Sequence, residues 1–228
     1  FQRPPPRSSR FYAASYLQFT GNFLSCVWIE LEIVNCARRV WRAGPAHILH
    51  QNGKGEFAMK RLPKGVLTAF IIATLAGACL HFLYTLLPCG LTAAIAPVNE
   101  SLWEHVKILY WPGLAAGLIL ARREPEHLGA RMFCLLLAAA VMLGAGWIFH
   151  VTLEGQSLFF DVVLYVVVMA ISLLLPALLC RPFWARTRGL WTALAAALGV
   201  AAVLFTWLTP RGLLFADLSL ASFAPIPW

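Results

Sequence analysis

Residues 66–87 read V-L-T-A-F-I-I-A-T-L-A-G-A-C-L-H-F-L-Y-T-L-L, and no Asp, Glu, Lys or Arg interrupts them. An α-helix rises about 1.5 Å per residue, so roughly 20 consecutive apolar residues cross the hydrocarbon core of a bilayer. The stretch is long enough for such a crossing and too apolar for the surface of a soluble domain. It predicts a transmembrane α-helix.

Four later stretches have a similar length and character. The sequence therefore predicts an all-α, polytopic helical membrane protein with about five transmembrane helices in a small bundle. The five expected spans are residues 66–87, 101–121, 131–153, 157–180 and 189–208. The second span is the least apolar, because charged residues occupy its start and Pro112 lies inside it. Proline should kink this helix, which membrane helices tolerate better than soluble ones do.

The composition agrees with this class. Of the 228 residues, 60% are hydrophobic and 12% are charged, whereas a soluble domain averages roughly 45–50% apolar and about 25% charged residues. A water-soluble monomer and a disordered chain are therefore excluded, and the lipid bilayer is the expected partner. The net charge of +8 fits membrane topology better than nucleic-acid binding, so no nucleic acid is expected. The six cysteines form no C-x-x-C, which argues against a disulfide framework or a zinc knuckle.

Lysines and arginines lie mostly on one side of the predicted bundle. They precede the first span and fill the loops after the second and the fourth: Lys60, Arg61, Lys64, Arg122, Arg123, Arg131, Arg181, Arg186 and Arg188. The other side has only Lys107 and Arg211. Because positive charge stays on the cytoplasmic side, we expect a protein of the bacterial cytoplasmic membrane with its N-terminus inside and its C-terminus outside, counted from Met59.

The segment before Met59 has a different character. It begins with a run rich in Pro, Arg and Ser, and its one apolar patch, residues 23–29, is too short to span a bilayer. The codons for residues 54–56 could form a purine-rich ribosome-binding site at a suitable distance from Met59. We interpret residues 59–228 as the five-span domain and residues 1–58 as upstream sequence read in frame. The alternative is a disordered or interfacial extension.

Polar side chains of the predicted spans gather in the outer half of the membrane. They form a candidate polar pocket: His81, Tyr84, Asn99, Glu100, Trp103, Glu104, His105, Lys107, His150 and Asp161. The inner half holds little besides apolar residues and the arginines of the loops. Ionisable groups within a membrane span are costly, and by default they indicate a functional site.

Within this pocket, His81, His105, His150 and Glu104 are the candidate ligands of a divalent metal ion. Imidazole and carboxylate groups suit a site that keeps an open position for water. Glu100 and Glu104 are four residues apart, which places them on one face of a predicted helix. The same groups could also form a proton relay or hold a polar solute. No H-E-x-x-H is present, so no motif selects the metal.

Each of these residues also has a purely structural explanation. Ser101 and Glu104 fit a capping box, and Glu100 would be favourable beside a helix N-terminus. Glu104 could pair with Lys107 one turn along the helix. His81 and His150 could hydrogen-bond between helices, and Asp161 could reach interfacial water. The gathering of so many polar groups on one side nevertheless favours a function.

Three functions fit this pattern. The first is the binding or movement of a small polar solute or ion. The second is a membrane-embedded, metal-dependent hydrolase in which Glu100 or Glu104 acts as general base toward a metal-bound water. The third is a structural or accessory membrane protein whose polar cluster only fixes the helices. The sequence has neither G-x-S-x-G nor a phosphate-binding loop, so it leaves open whether the chain is an enzyme.

Residues 97–112 read P-V-N-E-S-L-W-E-H-V-K-I-L-Y-W-P. This run resembles the signature V-N-E-S-x-W-E-H-x-K of an uncharacterised family of small bacterial multi-spanning membrane proteins, labelled as a domain of unknown function. Further similarities are H-F-x-Y from His81 to Tyr84, an acidic residue early in a later span, and a closing F-T-x-x-x-P…L-F-x-D. The acidic residue and the closing motif correspond to Asp161, Phe205, Thr206, Pro210, Phe215 and Asp217. The resemblance covers residues 59–217 and implies a fold but no activity.

Overall fold

A computed structural model describes residues 65–179 and 182–218, and within these ranges every regular element is helical. The all-α class is confirmed for this part of the chain. The predictions made for residues 1–58 and for a start at Met59 lie outside the described residues. The same holds for Lys60, Arg61, Lys64, Cys180 and Arg181.

Five long helices carry the fold. They are α1 (Val66–Leu86), α3 (Leu102–Ala121), α4 (Leu128–Gly146), α5 (Leu158–Leu173) and α7 (Arg188–Trp207). Two short helices lie between them, namely α2 (Gly90–Ile95) and α6 (Pro182–Arg186). α4 continues into a π-helical turn at Trp147–Thr152, and 3₁₀ turns occupy Pro125–His127, Leu175–Leu178 and Leu213–Phe215.

Four of the described helical segments are long and apolar enough to cross a membrane. They are Val66–Leu86, Pro125–Thr152, Leu158–Leu178 and Arg188–Trp207. α3 has a comparable length of 20 residues, but Glu104, His105 and Lys107 near its start lower its hydropathy. The structure thus has four candidate spans where the sequence predicts about five, and α3 makes the difference.

α3 and α4 form the centre of the bundle. α4 lies against α3, α5 and α7, while α3 also contacts α1, α5 and α7. Apolar side chains with essentially no exposure fill these contacts, among them Val106, Leu109, Ala138, Val168 and Met169. The central position of α3 explains how the least apolar of the long helices keeps charged residues near its start, because its neighbours enclose it.

α1, α3 and α5 meet at Gly77. The Tyr165 hydroxyl of α5 donates to the Thr74 carbonyl of α1 at 2.8 Å. Pro112 has no N–H, so it leaves the Ile108 carbonyl of α3 without its usual helical donor. Gly77 lies against both this carbonyl and the Tyr165 hydroxyl, where a Cβ would overlap them. Glycine is therefore needed here for close packing of the three helices.

A similar contact joins α3 to α7. The Tyr110 hydroxyl donates to the Ala195 carbonyl at 3.0 Å. Gly199, one turn further along α7, faces the Tyr110 ring so closely that a Cβ would overlap the phenol oxygen. The small residues of α7 thus allow a large side chain of the central helix to reach the backbone of the outermost one.

The two ends of the bundle differ in charge. We call one of them the polar end; it contains the last turns of α1 and α7, the loop before α3 and the first two turns of α3, the first turn of α5, and the π-helical turn with the residues that join it to α5. The opposite end, the arginine end, carries Arg122, Arg123, Arg131, Arg186 and Arg188. There the buried Arg131 places Nη2 at 3.2 Å from Oε2 of Glu124. All residues of the predicted polar pocket belong to the polar end.

Candidate functional site

His81, Glu100 and His105 converge at the polar end. His81 lies near the end of α1, His105 near the start of α3, and Glu100 in the loop between α2 and α3. The Oε2 atom of Glu100 is 3.3 Å from Nε2 of His105 and 3.9 Å from Nε2 of His81. One potential ligand atom of each residue lies within 4.8 Å of the other two. The three donor atoms therefore surround one small volume.

The backbone contact of His105 decides which of its nitrogens remains free. Nδ1 lies 2.8 Å from the Ser101 carbonyl oxygen, and because a carbonyl only accepts, Nδ1 carries the hydrogen. In the neutral ring, Nε2 then directs a lone pair at Oε2 of Glu100. Because both atoms present lone pairs, they need a positive charge between them, which a proton or a metal ion supplies. A ring with one nitrogen held by a carbonyl and the other free is typical of metal-binding histidines.

His81 directs its Nε2 atom at the same carboxylate oxygen. Its ring centroid lies 5.1 Å from that of His105. The other nitrogen, Nδ1, is buried and has no hydrogen-bond partner among the described residues. One divalent cation between the three donor atoms would engage the Nε2 atoms of both rings at once, whereas hydrogen bonds from both rings to Glu100 would require a proton on each Nε2 atom.

The distances suit a zinc-like ion. Bonds of about 2.0–2.2 Å arranged as a tetrahedron place the ligand atoms about 3.3–3.6 Å apart. The His105–Glu100 separation of 3.3 Å has this value, and the His81–Glu100 separation of 3.9 Å is slightly longer. Two imidazole nitrogens and one carboxylate oxygen also form a donor set known from zinc sites that keep water in the fourth position. The third separation, between the ligand atoms of the two imidazoles, is bounded at 4.8 Å, so the residues fit a zinc-like ion once the three donor atoms draw closer together.

Glu100 lies outside the helices and is half-exposed, with 53% of its side chain accessible. Its partial burial would raise the carboxyl pKa. The hydrogen bond and charge of His105, together with the charge of His81, outweigh this effect and lower the pKa to about 2. The group is therefore a carboxylate at neutral pH, which is the form that binds a metal, and its exposure leaves a path from solvent.

Glu104, which the sequence groups with the metal ligands, lies in a separate buried cluster. Its Oε2 atom accepts from Lys107 Nζ at 2.7 Å and from the Val98 N–H at 3.0 Å. Its Oε1 atom accepts from the Thr206 hydroxyl at 3.2 Å. Lys107 also donates to the Ala93 carbonyl at 2.8 Å and to Thr206 at 2.6 Å. This cluster joins α3 to α2 and α7. Both oxygens of the Glu104 carboxylate already accept hydrogen bonds within it.

The start of α3 separates the two glutamates. The Ser101 hydroxyl caps the helix by accepting from the Glu104 N–H at 3.3 Å, which is one half of the predicted capping box. The other half is absent, because the Ser101 N–H donates to Oδ1 of Asn99 at 3.1 Å. The Glu104 carboxylate is thus left for Lys107. Glu100 precedes the cap, so the two glutamates do not share a helix face as their spacing predicts.

His150 and Asp161 form a second polar pair. Nε2 of His150 lies 2.8 Å from Oδ1 of Asp161, and Nδ1 lies 2.9 Å from the Gly155 carbonyl. Both ring nitrogens are engaged, so His150 stands apart from His81 and His105, with which the sequence grouped it. The pair joins the π-helical turn that follows α4 to the first turn of α5.

Tyr84 and Trp103 complete the predicted pocket. Tyr84 is half-buried, one turn beyond His81 in α1. The Trp103 ring centroid lies 5.4 Å from those of both Phe205 and Phe215. Trp103 therefore packs α3 against the end of α7 and the 3₁₀ turn that follows it, away from the three convergent groups.

Some groups that hydrogen-bond to these side chains were not among the predicted site residues. Two are backbone carbonyls, at Ser101 and Gly155, which leave no sequence signal. The third is the Thr206 hydroxyl, which contacts both Lys107 and Glu104. This threonine belongs to the F-T of the closing motif, so the family resemblance could have identified Thr206 as a residue of the site.

Comparison with known proteins identifies a family without an activity. No curated protein matches the chain, and no solved structure matches it. Residues 56–221 match the family described as "Family of unknown function (DUF6512)". This range includes every residue of the polar end discussed above and most of the chain, so the predicted membership of an uncharacterised family is confirmed: the chain belongs to the DUF6512 family.

Proposed function

We propose that the chain is an integral protein of the bacterial cytoplasmic membrane that binds a divalent metal ion of the zinc class at its outer face. His81, Glu100 and His105 are the proposed ligands. The observation that carries the proposal is the approach of their three donor atoms to within 4.8 Å of one another. The ligands come from α1, from the loop and from α3, so the folded bundle preorganises the site.

Membrane insertion is supported by the four apolar helices and by the surface that they present. Large apolar side chains along the helices are exposed, including Ile72, Ile119, Val167 and Val200. Exposed apolar side chains in such numbers are unfavourable in water and are accepted by lipid. We assign α3 as the fifth span, because its length matches and its neighbours shield its polar start.

The proposed orientation places the arginine end in the cytoplasm and the polar end outside, following the positive-inside rule. Gln156 lies at the polar end and Glu126 at the arginine end, and both are exposed. In a chain without its native cysteines, an impermeant maleimide applied to intact cells should label Gln156→Cys and not Glu126→Cys. The reverse labelling would overturn the orientation.

Binding is favoured over movement of the ion through the bundle. The buried Lys107 and Glu104 bind each other and surrounding groups near the start of α3. Further along α3, the apolar Leu109 and its neighbours are fully buried. An ion leaving the cluster inward would therefore meet a cation and then an apolar core, both of which are unfavourable.

Zinc titration of the purified full chain tests the proposal. Calorimetry and elemental analysis should find one zinc ion per chain. His105→Ala should abolish this binding, because it removes a ligand. His127→Ala, at the arginine end, is the matched control and should bind as the native chain does. Equal zinc binding by the native chain and by His105→Ala would refute the assigned site.

A further inference from the structure

We propose that the metal ion is exchangeable, that it passes between this site and soluble metal-binding ligands at the outer face, and that His81 is the ligand that releases it first. This inference rests on the proposed function, because it requires the ion bound by His81, Glu100 and His105. It goes further by distinguishing an ion that enters and leaves the site from one that stays as a permanent part of the fold.

The two imidazoles would bind the ion through the same atom, Nε2, and His105 is well prepared to do so. A neutral imidazole that gives the Nε2 lone pair to a metal carries its hydrogen on Nδ1. In His105 this hydrogen is donated to the Ser101 carbonyl at 2.8 Å. Metal-binding histidines almost always have such an outer partner, which fixes the ring and makes it a stronger ligand. The ring of His105 is therefore already held in the form and orientation that a metal ion requires.

His81 lacks this support. A quarter of its side chain is accessible, but the Nδ1 atom is not, and it finds no hydrogen-bond partner in the part of the chain that the structure describes. In the metal-bound form, the Nδ1 hydrogen would be a buried donor without an acceptor, which is unfavourable. In the metal-free form, the hydrogen can lie on Nε2, which faces Glu100. The surroundings of His81 thus favour the form that has released the ion.

The separations of the donor atoms rank the ligands in the same order. Oε2 of Glu100 is 3.3 Å from Nε2 of His105 and 3.9 Å from Nε2 of His81. The first value is that of two ligands on one tetrahedral zinc ion, so Glu100 and His105 can hold the ion as they stand. His81 belongs to a different helix, α1, and has to approach before it completes the site.

A soluble ligand can reach the ion from the end of the bundle. Glu100 is 53% accessible, and each of the two imidazoles is 25% accessible. Three protein donors leave the fourth tetrahedral position open, and zinc can expand to five ligands. A carboxylate, imidazole or thiolate of a soluble molecule can therefore bind the ion before any protein ligand leaves it.

The exchange step changes only coordinate bonds. A donor atom of the soluble ligand bonds to the ion at the open position. The bond between the ion and Nε2 of His81 then breaks, and its electron pair stays on the nitrogen. The freed ring remains neutral, and its one hydrogen passes to Nε2 by exchange with water. Glu100 and His105 release the ion in turn as further donor atoms of the soluble ligand bind. Nothing is oxidised or reduced, and uptake is the reverse sequence.

Calorimetric zinc titration of three variants of the purified full chain tests the ranking of the ligands. His81→Ala should still bind one zinc ion, with affinity weakened by about 10-fold or less, because a histidine without its outer partner has already lost about 10–100-fold of its contribution. His105→Ala should abolish binding. His150→Ala is the matched control at the same end, since both nitrogens of that ring are engaged elsewhere, and it should bind as the native chain does.

The kinetics of zinc release test the exchange on the native chain itself. The zinc-loaded chain is mixed with an excess of the chelating dye 4-(2-pyridylazo)resorcinol, and the absorbance of the zinc–dye complex is followed by stopped flow. We expect the release rate to rise in proportion to the dye concentration, because the dye enters the open position before a protein ligand leaves. An ion that is a permanent part of the fold would instead leave at a rate set by opening of the bundle, whatever the dye concentration.

The outcomes separate the two proposals. A chain that binds no zinc refutes the metal site and the exchange together. If the native chain binds zinc but His81→Ala loses affinity as completely as His105→Ala does, the role of His81 in release is refuted and the metal site stands. A release rate independent of the dye concentration likewise refutes only the exchange. This second measurement needs no variant, so it decides the proposal even if His81→Ala fails to fold.

Discussion

Glu100 and Glu104 are one helical turn apart in sequence, yet they belong to different clusters. Glu100 precedes the Ser101 cap and faces two histidines, whereas Glu104 follows the cap and is buried against Lys107. One carboxylate is half-exposed and the other nearly inaccessible, with 53% and 5% of the side chains exposed. The capping residue thus divides a short acidic motif into a candidate ligand and a structural ion pair.

This division predicts opposite effects of two matched substitutions. Glu100→Gln should weaken zinc binding by at least about 100-fold, because loss of an outer-shell partner already costs 10–100-fold and Glu100 is a direct ligand. Glu104→Gln should leave zinc affinity close to native and lower stability instead. Calorimetric titration and thermal unfolding of both variants measure the two effects. Comparable affinity losses in both would contradict the assignment.

The low pKa of Glu100 predicts how the metal-free chain responds to acid. The pKa is lowered from an ordinary value of 4.5 to about 2. A carboxyl with a depressed pKa stabilises the folded state above its ordinary value and loses this effect as the pH falls through its folded value. The Tm should therefore decline between these two pH values in the presence of EDTA.

Glu100→Gln removes the titrating group and is the control for this decline. Its Tm should fall less steeply over the same interval, by a small margin because solvent screens a half-exposed pair. Parallel curves for the native chain and the variant would show that Glu100 does not carry the effect.

Much of the fold could be predicted because hydropathy determines it. The first predicted span, residues 66–87, corresponds to α1 at Val66–Leu86, and the last, residues 189–208, to α7 at Arg188–Trp207. The fourth, residues 157–180, corresponds to the candidate span Leu158–Leu178, although this segment is not one continuous α-helix. α5 ends at Leu173, and a 3₁₀ turn containing Pro176 follows, since proline disfavours helical geometry in the residue before it.

The arrangement of the site was less predictable, because it depends on backbone groups. His81 and His105 were recognised by residue type, but nothing in their spacing distinguishes Glu100 from Glu104 as their partner. That choice follows from Asn99 accepting the Ser101 N–H, which leaves the Glu104 side chain for Lys107. The separation of His150 likewise depends on the Gly155 carbonyl, which no side-chain pattern encodes.

The buried Lys107–Glu104 pair predicts a strong effect on stability. Lys107→Met would leave the Glu104 carboxylate buried without its cation, and such a loss lowers the free energy of unfolding by about 3–5 kcal/mol. The double variant Lys107→Met with Glu104→Gln should recover much of this loss, because neither unpaired charge remains. Reversible unfolding in mixed micelles, followed by tryptophan fluorescence, measures both. A single variant as stable as the native chain would contradict the role of the pair.

The contact between Gly199 and Tyr110 predicts that α7 does not tolerate a methyl group there. A Cβ at Gly199 would overlap the Tyr110 phenol, which also donates to the Ala195 carbonyl. Both helices would have to move, so Gly199→Ala should lower the free energy of unfolding by about 1–3 kcal/mol. Gly144→Ala is the matched control, because a Cβ at that helical glycine meets open space and alanine favours the helix by up to about 1 kcal/mol. Equal Tm values for the two variants would mean that α7 does not lie against Tyr110 as closely as described.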